Sequence, residues 1–265
     1  MNNLETYSKP INELSRKAGQ AVMDIYDKDF AIYDKSDSSP LTEADLAAHT
    51  LLVKGLNALT PNIPVLSEES NEEEKQDRFS WTTYWLIDPL DGTKEFIKKN
   101  GEFTINVALI ENGEPVFGVV YAPAIDVLYW GAKGEGAFKQ EGDQQPTAIS
   151  VAKVPTVNTG WKVVGSRSHQ SEEFKQFMEK LPEADIIAMG SSLKLCLVAE
   201  GKADLYPRLG LTSEWDTAAA HAVVLAAGGQ VLSAEDMKPL IYNSRKETLL
   251  NPHFIVCPAV SEFWA

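Results

Sequence analysis

"YWLIDPLDGTKEF", residues 84–96, carries an apolar run into two carboxylates. Tyr84–Ile87 reads as a buried strand. Pro89 cannot donate to a sheet ladder, so pairing is expected to stop there. Gly92 permits close backbone approach, and "TKEFIKK" starts a helix. Asp88 then sits at a strand's end and Asp91 in the turn just beyond. A tight turn of this kind can aim both carboxylates at one point. The N–H groups opening the next helix and the Thr93 hydroxyl face the same point. Carboxylates hold a hard cation, and helix N-termini hold phosphate. The plainer alternative makes both acids turn formers, with Asp91–Gly92 as the turn dipeptide.

Two other stretches share the pattern. "VLSEES" (65–70) is again an apolar strand ending in acids, Glu68 and Glu69. Taken alone, Glu69 is no more than the start of an acidic surface loop. In "EWDTAAAHAVVLAAGG" (214–229), Trp215 and Asp216 precede a run of small residues. Taken alone, Asp216 is a helix cap. Three apolar-to-acid junctions in one chain are better explained together, as a multi-carboxylate metal site.

The totals describe an acidic chain whose charge reads most simply as solubility; for an anionic substrate, something local must overcome that field. The chain has 265 residues, enough for one large domain or two small ones, and its formal charge is −14. That charge argues against nucleic-acid binding by a broad basic face. Bound divalent cations would turn a pocket positive within an acidic protein. No run approaches the ~18–20 apolar residues of a membrane span. The polar N-terminus does not read as a secretory signal. Cys196 and Cys257 lie in apolar surroundings and read as buried thiols in a reducing cytoplasm. Loose association with the inner membrane stays open, although no basic amphipathic helix favours it.

Along the chain, residues 3–28 and 41–59 read as helices. Thr42 with Asp45 resembles a capping box at the start of the second. Residues 68–78 read as an exposed acidic loop. Residues 103–110, 115–123, 126–132 and 136–139 read as a meander of antiparallel strands. A polar stretch, 140–160, changes the texture. After it, short apolar runs alternate with helical stretches, which suggests an α/β half. The expected division is an α+β domain over 1–158 and an α/β domain over 159–265.

"EE", then "DPLDGT", then "WDTAAA" resembles the signature of the lithium-sensitive, Mg²⁺-dependent phosphatase superfamily. Inositol monophosphatases, fructose 1,6-bisphosphatases and bisphosphate nucleotidases belong to it. Order and spacing both fit, over most of the chain. Ala220 stands where the pattern more often has glycine, which leaves Asp216 untouched. The resemblance implies an αβαβα layered sandwich with the active site between two halves. It implies Glu68, Asp88, Asp91, Asp216 and the Leu90 carbonyl as ligands of two or more Mg²⁺. It pairs Asp45 with Thr93 to activate water, and has the Gly92 and Thr93 N–H groups orient the phosphoryl oxygens, with no phosphoenzyme. From the residues alone, a local cap is the simpler reading of Asp45. An aspartyl-nucleophile phosphatase is disfavoured, since its acids are spaced D-x-D and these are D-x-x-D.

The second half narrows the substrate. "GSRSHQ" (165–170) puts His169 just after an expected strand. "GSSLKLCLVAEGKADLYPR" (190–208) puts Ser191 and Lys194 on the first turn of a helix and Arg208 after a strand. Each has an ordinary reading: a surface histidine, an N-cap, two solvated charges. Together with "LDGTKEFIKKNGEFTIN" they resemble the 3′(2′),5′-bisphosphate nucleotidases of the CysQ type. The resemblance implies cleavage of 3′-phosphoadenosine 5′-phosphate to AMP and phosphate, linked to sulfate assimilation. The phosphate that is not cleaved would be gripped by some of Ser191, Lys194 and Arg208, with His169 near the nucleotide. The rivals are an inositol monophosphatase, a sugar bisphosphatase, and an inactive metal- or nucleotide-binding module.

Overall fold

Apolar residues occupy both alternating sets along the strands between residues 83 and 132. A sheet built from them needs cover on both faces. The computed structural model, which describes residues 4–28, 32–34, 40–165 and 171–265, provides that cover. The chain opens with helix α1 (Glu5–Tyr26), the antiparallel pair β1 (Ile32–Asp34) and β2 (Pro40–Thr42), and helix α2 (Glu43–Leu59). Strand β3 (Val65–Ser67), helix α3 (Glu72–Asp77), strand β4 (Thr83–Asp91) and helix α4 (Thr93–Ile97) follow. Then come β5 (Thr104–Glu111), β6 (Glu114–Ala122), β7 (Val127–Ala132), β8 (Gly136–Glu141) and β9 (Thr147–Ile149). Strands β3 to β9 form a seven-stranded sheet in sequence order. Its β3–β4 pair is parallel and the rest antiparallel.

The remaining elements are β10 (Thr159–Gly165), α5 (Glu172–Met178), β11 (Glu183–Ala188), α6 (Leu193–Ala199), β12 (Tyr206–Arg208), α7 (Glu214–Ala226), β13 (Gln230–Ser233) and β14 (Phe254–Cys257). Strand β10 pairs in parallel with β11, and β14 lies between β12 and β13. A parallel bridge, Val163 to Leu205, links the two groups.

The layers run αβαβα. Ile11, Val22, Leu52 and Leu56 of α1 and α2 pack on Trp85, Ile87, Val107 and Val119. On the other face, Val198 of α6 and Ala219 and Val223 of α7 meet Leu86, Ala108 and Val120. The same helices touch Val164, Tyr206 and Val256 of the second sheet. Phe174 and Phe177 of α5 close its outer side against Trp161, Val163 and Leu205.

Helix α7 sits unusually close to the large sheet. A Cβ at Gly118 would lie 2.2 Å from the Ala219 carbonyl oxygen, and one at Gly131 would lie 2.9 Å from the Val223 Cα. The alanine run of α7 and these two glycines fit only each other. Ala220, the departure from the usual pattern, is fully buried here.

Several expectations change. Residues 72–77 are helical, because Asn71 caps them and Glu74 returns the bond. Pro89 does not end β4. The ladder skips over it and resumes at Asp91 opposite Thr104. A bulge accommodates the missing donor. The polar stretch after residue 140 still supplies β9, an edge strand. Cys196 and Cys257 are buried free thiols, as expected.

Gly118→Val is expected to lower stability by ~1–3 kcal/mol through overpacking. It is also expected to weaken divalent-ion binding, because α7 carries Asp216. Thermal unfolding and calorimetric Mg²⁺ titration of the variant check both.

Candidate active site

The alternation of β4 decides where the first acid points. Tyr84 and Leu86 face the α6–α7 layer. Asp88, two residues on, shares that side. It is buried, and its Oδ1 accepts the Leu90 N–H at 3.0 Å. The bulge at Pro89 brings Asp91 back to the same side, where Thr104 Oγ1 lies 3.4 Å from its Oδ2. Asp216 enters from the opposite layer, on the first turn of α7. Its Oδ2 accepts the Ser213 N–H at 2.9 Å, so Ser213 rather than Asp216 is the N-cap, and Asp216 closes the capping box while facing the site. Ligand atoms of Asp88, Asp91 and Asp216 all lie within 4.8 Å of one another.

Glu68 follows β3 directly, and its N–H bonds the Ile87 carbonyl at 3.1 Å, which ties it to the end of β4. With Asp88, Leu90, Asp91, Thr93 and Asp216 it lines a cavity of about 280 Å³. Asp45 forms the capping box of α2: its Oδ2 accepts the Thr42 N–H at 2.7 Å and the Thr42 hydroxyl at 2.6 Å. That leaves Oδ1 facing Thr93, whose hydroxyl is 3.3 Å from it and 3.3 Å from the Leu90 carbonyl. The helix after Gly92 is only Thr93–Ile97, so local N–H groups are on offer rather than a long dipole.

The electrostatics match a cation site. Burial, then the charges of Glu68, Asp91 and Asp216, pushes the Asp88 carboxyl well above its ordinary range. Burial and Asp91 do the same to Asp216, against the Ser213 N–H and Arg208, which pull it down. Acids crowded in this way relieve their repulsion either by binding protons or by sharing a cation. The donor set is all oxygen, which suits a hard divalent ion such as Mg²⁺.

A second cavity of about 150 Å³ adjoins the first and shares Asp91, Gly92, Glu95 and Asp216 with it. Ser191, Lys194, Tyr206, Arg208 and Phe254 line it. Lys194 is on the first turn of α6, as expected. Ser191 is not: it precedes the helix with φ +46°, a strained conformation for a non-glycine residue. Its Oγ is buried with no partner among the described residues. Arg208 ends β12, its Nη2 donates to the Leu211 carbonyl at 2.8 Å, and its Nε is also buried without a partner. His169 lies outside the described residues.

Sequence reading missed Ser192 and Asn106. The Ser192 N–H donates to Asp91 Oδ2 at 2.6 Å. The Ser192 hydroxyl lies 2.9 Å from the same oxygen and 2.7 Å from the Asp216 carbonyl, and accepts from Asn106 at 2.8 Å. This knot holds α6, α7, β4 and β5 together at the acids. A polar asparagine inside the apolar run "FTINVALI" was the available signal.

The sequence and the fold are similar to those of known proteins. The sequence matches the inositol monophosphatase family over residues 3–260. The chain belongs to that family. It is 51% identical over 247 residues to the 3′(2′),5′-bisphosphate nucleotidase CysQ of Escherichia coli (strain K12), covering 92% of this chain and 96% of that one. The CysQ of Haemophilus influenzae is 36% identical over 256 residues, covering 95% and 92%. The crystal structure of CysQ from Bacteroides thetaiotaomicron superposes with a TM-score of 0.85 at 40% identity, covering 98% of this chain and all of that one. An inositol monophosphatase from Anabaena shares the fold, with a TM-score of 0.72 at 24% identity. Membership implies a divalent metal, and the Asp88, Asp91 and Asp216 cluster fits one. No helix among the described residues is long and apolar enough to cross a membrane.

The folded state holds the protons of Asp88 and Asp216 more tightly than the unfolded chain does. Metal-free stability should therefore fall as pH rises above the ordinary Asp value of 3.8. Added Mg²⁺ should raise the unfolding temperature, more at pH 8 than at pH 5. Asp88→Asn should raise it without metal and remove most of the metal's gain. Differential scanning calorimetry with and without chelator reads all three.

Proposed function

We propose that the chain is a Mg²⁺-dependent 3′(2′),5′-bisphosphate nucleotidase that converts 3′-phosphoadenosine 5′-phosphate to AMP and phosphate. The observation that carries this reading is a second cavity directly beside the acid cluster that brings in two basic side chains. Lys194 and Arg208 line it together with a buried, unpartnered Ser191 hydroxyl. A substrate with one phosphate has no use for that second grip. A substrate with two uses both cavities. Identity of 51% to a CysQ nucleotidase points the same way.

Glu68, Asp88, Asp91, Asp216 and the Leu90 carbonyl would hold two or more Mg²⁺ ions, which offset the phosphate's charge and acidify a water. Thr42 fixes one oxygen of Asp45, so the other polarises the Thr93 hydroxyl. Thr93 then passes its hydroxyl proton to Asp45 Oδ1 as its Oγ1 accepts one from the attacking water. The Gly92 and Thr93 N–H groups orient the phosphoryl oxygens of the ester being cut. Ser191, Lys194 and Arg208 hold the remaining phosphate, and His169 serves the nucleotide end. Lys194 acts as a point charge and Arg208 as a planar donor. No side chain needs to become phosphorylated.

In this reading residues 1–158 supply the water-activating pair and most metal ligands. Residues 159–265 supply Asp216 and the nucleotide contacts. The enzyme works in the cytoplasm, in sulfate assimilation.

Phosphate release from 3′-phosphoadenosine 5′-phosphate and from inositol 1-phosphate, each with Mg²⁺ and then with Li⁺, tests the assignment. Fast, lithium-inhibited turnover of the nucleotide is expected. Preference for inositol phosphate would remove the substrate assignment. Thr93→Ala should lower kcat roughly 10²- to 10⁴-fold, the usual weight of positioned proton transfer. Lys194→Ala should chiefly raise KM for the nucleotide, because it removes binding common to ground and transition states.

A further inference from the structure

One carboxylate at the site has no part in the acid cluster. Glu95, on α4, lines both the cavity of the acid cluster and the adjoining cavity of Lys194 and Arg208. Its Oε2 lies 3.4 Å from where a Cβ on Gly92 would stand, so it leans over the turn that carries the phosphoryl-orienting N–H groups. It is half-buried, and among the described residues its carboxylate has no hydrogen bond or ion pair. Lys194, lining the same cavity, instead donates to the Ser191 carbonyl at 3.2 Å. A carboxylate with no partner in the protein leaves its acceptor oxygens open to a ligand.

Its location says what that ligand offers. A substrate spanning the two cavities would pass their shared lining, Asp91, Gly92, Glu95 and Asp216, between its phosphates. A carboxylate there repels phosphate oxygens and can only accept hydrogen bonds. The part of a nucleoside bisphosphate that lies between the phosphates is the sugar. The donor next to the scissile ester is the vicinal sugar hydroxyl. We propose that Glu95 accepts a hydrogen bond from this hydroxyl, and so selects ribonucleotide over 2′-deoxyribonucleotide bisphosphates and sets the sugar's orientation at the metals.

This inference rests on the nucleotidase reading. It also separates Glu95 from the metal ligands. A ligand's loss would weaken turnover of all substrates alike, whereas an acceptor for one hydroxyl matters only to substrates that carry it.

The test compares kcat/KM for 3′-phosphoadenosine 5′-phosphate and its 2′-deoxy analogue. Wild type should prefer the ribonucleotide by roughly ten- to hundredfold, the usual weight of a hydrogen bond to a charged group. Glu95→Ala should lower the ribonucleotide's kcat/KM at least tenfold more than the analogue's. Glu95→Gln, which keeps an acceptor oxygen, should retain part of the preference. Equal use of both substrates by wild type overturns the inference and leaves the nucleotidase intact. So does an equal loss on both in Glu95→Ala, or a raised Mg²⁺ requirement with the preference unchanged. No turnover of either nucleotide by wild type, with inositol 1-phosphate cleaved, overturns the nucleotidase reading and this inference with it.

Discussion

Buried carboxylates must be held together against their own repulsion. Like charges ~4 Å apart repel by about 4 kcal/mol at an effective dielectric of ~20. Ligand atoms of Asp88, Asp91 and Asp216 crowd within 4.8 Å of one another, and no local element could keep them there alone. The fold resists the repulsion by bracing the acids from two layers. Asp88 and Asp91 are fixed by the bulged end of β4, and Asp216 by the cap of α7. Ser192 and Asn106 tie these elements to one another.

The close seat of α7 follows from the same need. Gly118 and Gly131 let the alanine face of the helix reach the sheet backbone, which sets the depth at which Asp216 arrives. A bulkier helix or a glycine-free sheet would hold the layers further apart and open the acid cluster. The small residues of α7 therefore matter for chemistry as well as for packing.

Around the acids, the site divides by charge. Asp45 and Thr93 stand on one side, where Thr42 holds one carboxylate oxygen and the Thr93 hydroxyl meets the other. Lys194 and Arg208 stand on the other side, at the seam between the layers. The strained backbone of Ser191 and its buried hydroxyl belong to that seam. Strain held at such a point is consistent with a binding site rather than a packing error.

Much of this was legible in residue order. Alternation showed the strands, the capping pair Thr42–Asp45 marked α2, and three apolar runs ending in acids gave Glu68, Asp88, Asp91 and Asp216. Motif order supplied the family. The sequence did not reveal that pairing continues past Pro89, since a bulge depends on the partner strand. Nor did it show Ser191 outside its helix, or α3 inside an acidic stretch. Ser192, Asn106 and Glu95 drew no notice, because their roles come from what they face across layers. Sequence by itself determined which groups could do the chemistry, because residue type fixes charge, donors and local turn geometry. Tertiary structure alone decided which of them meet, because Asp45, Asp91, Ser192 and Asp216 are brought together by sheet register and by the close contact of α7 with two glycines.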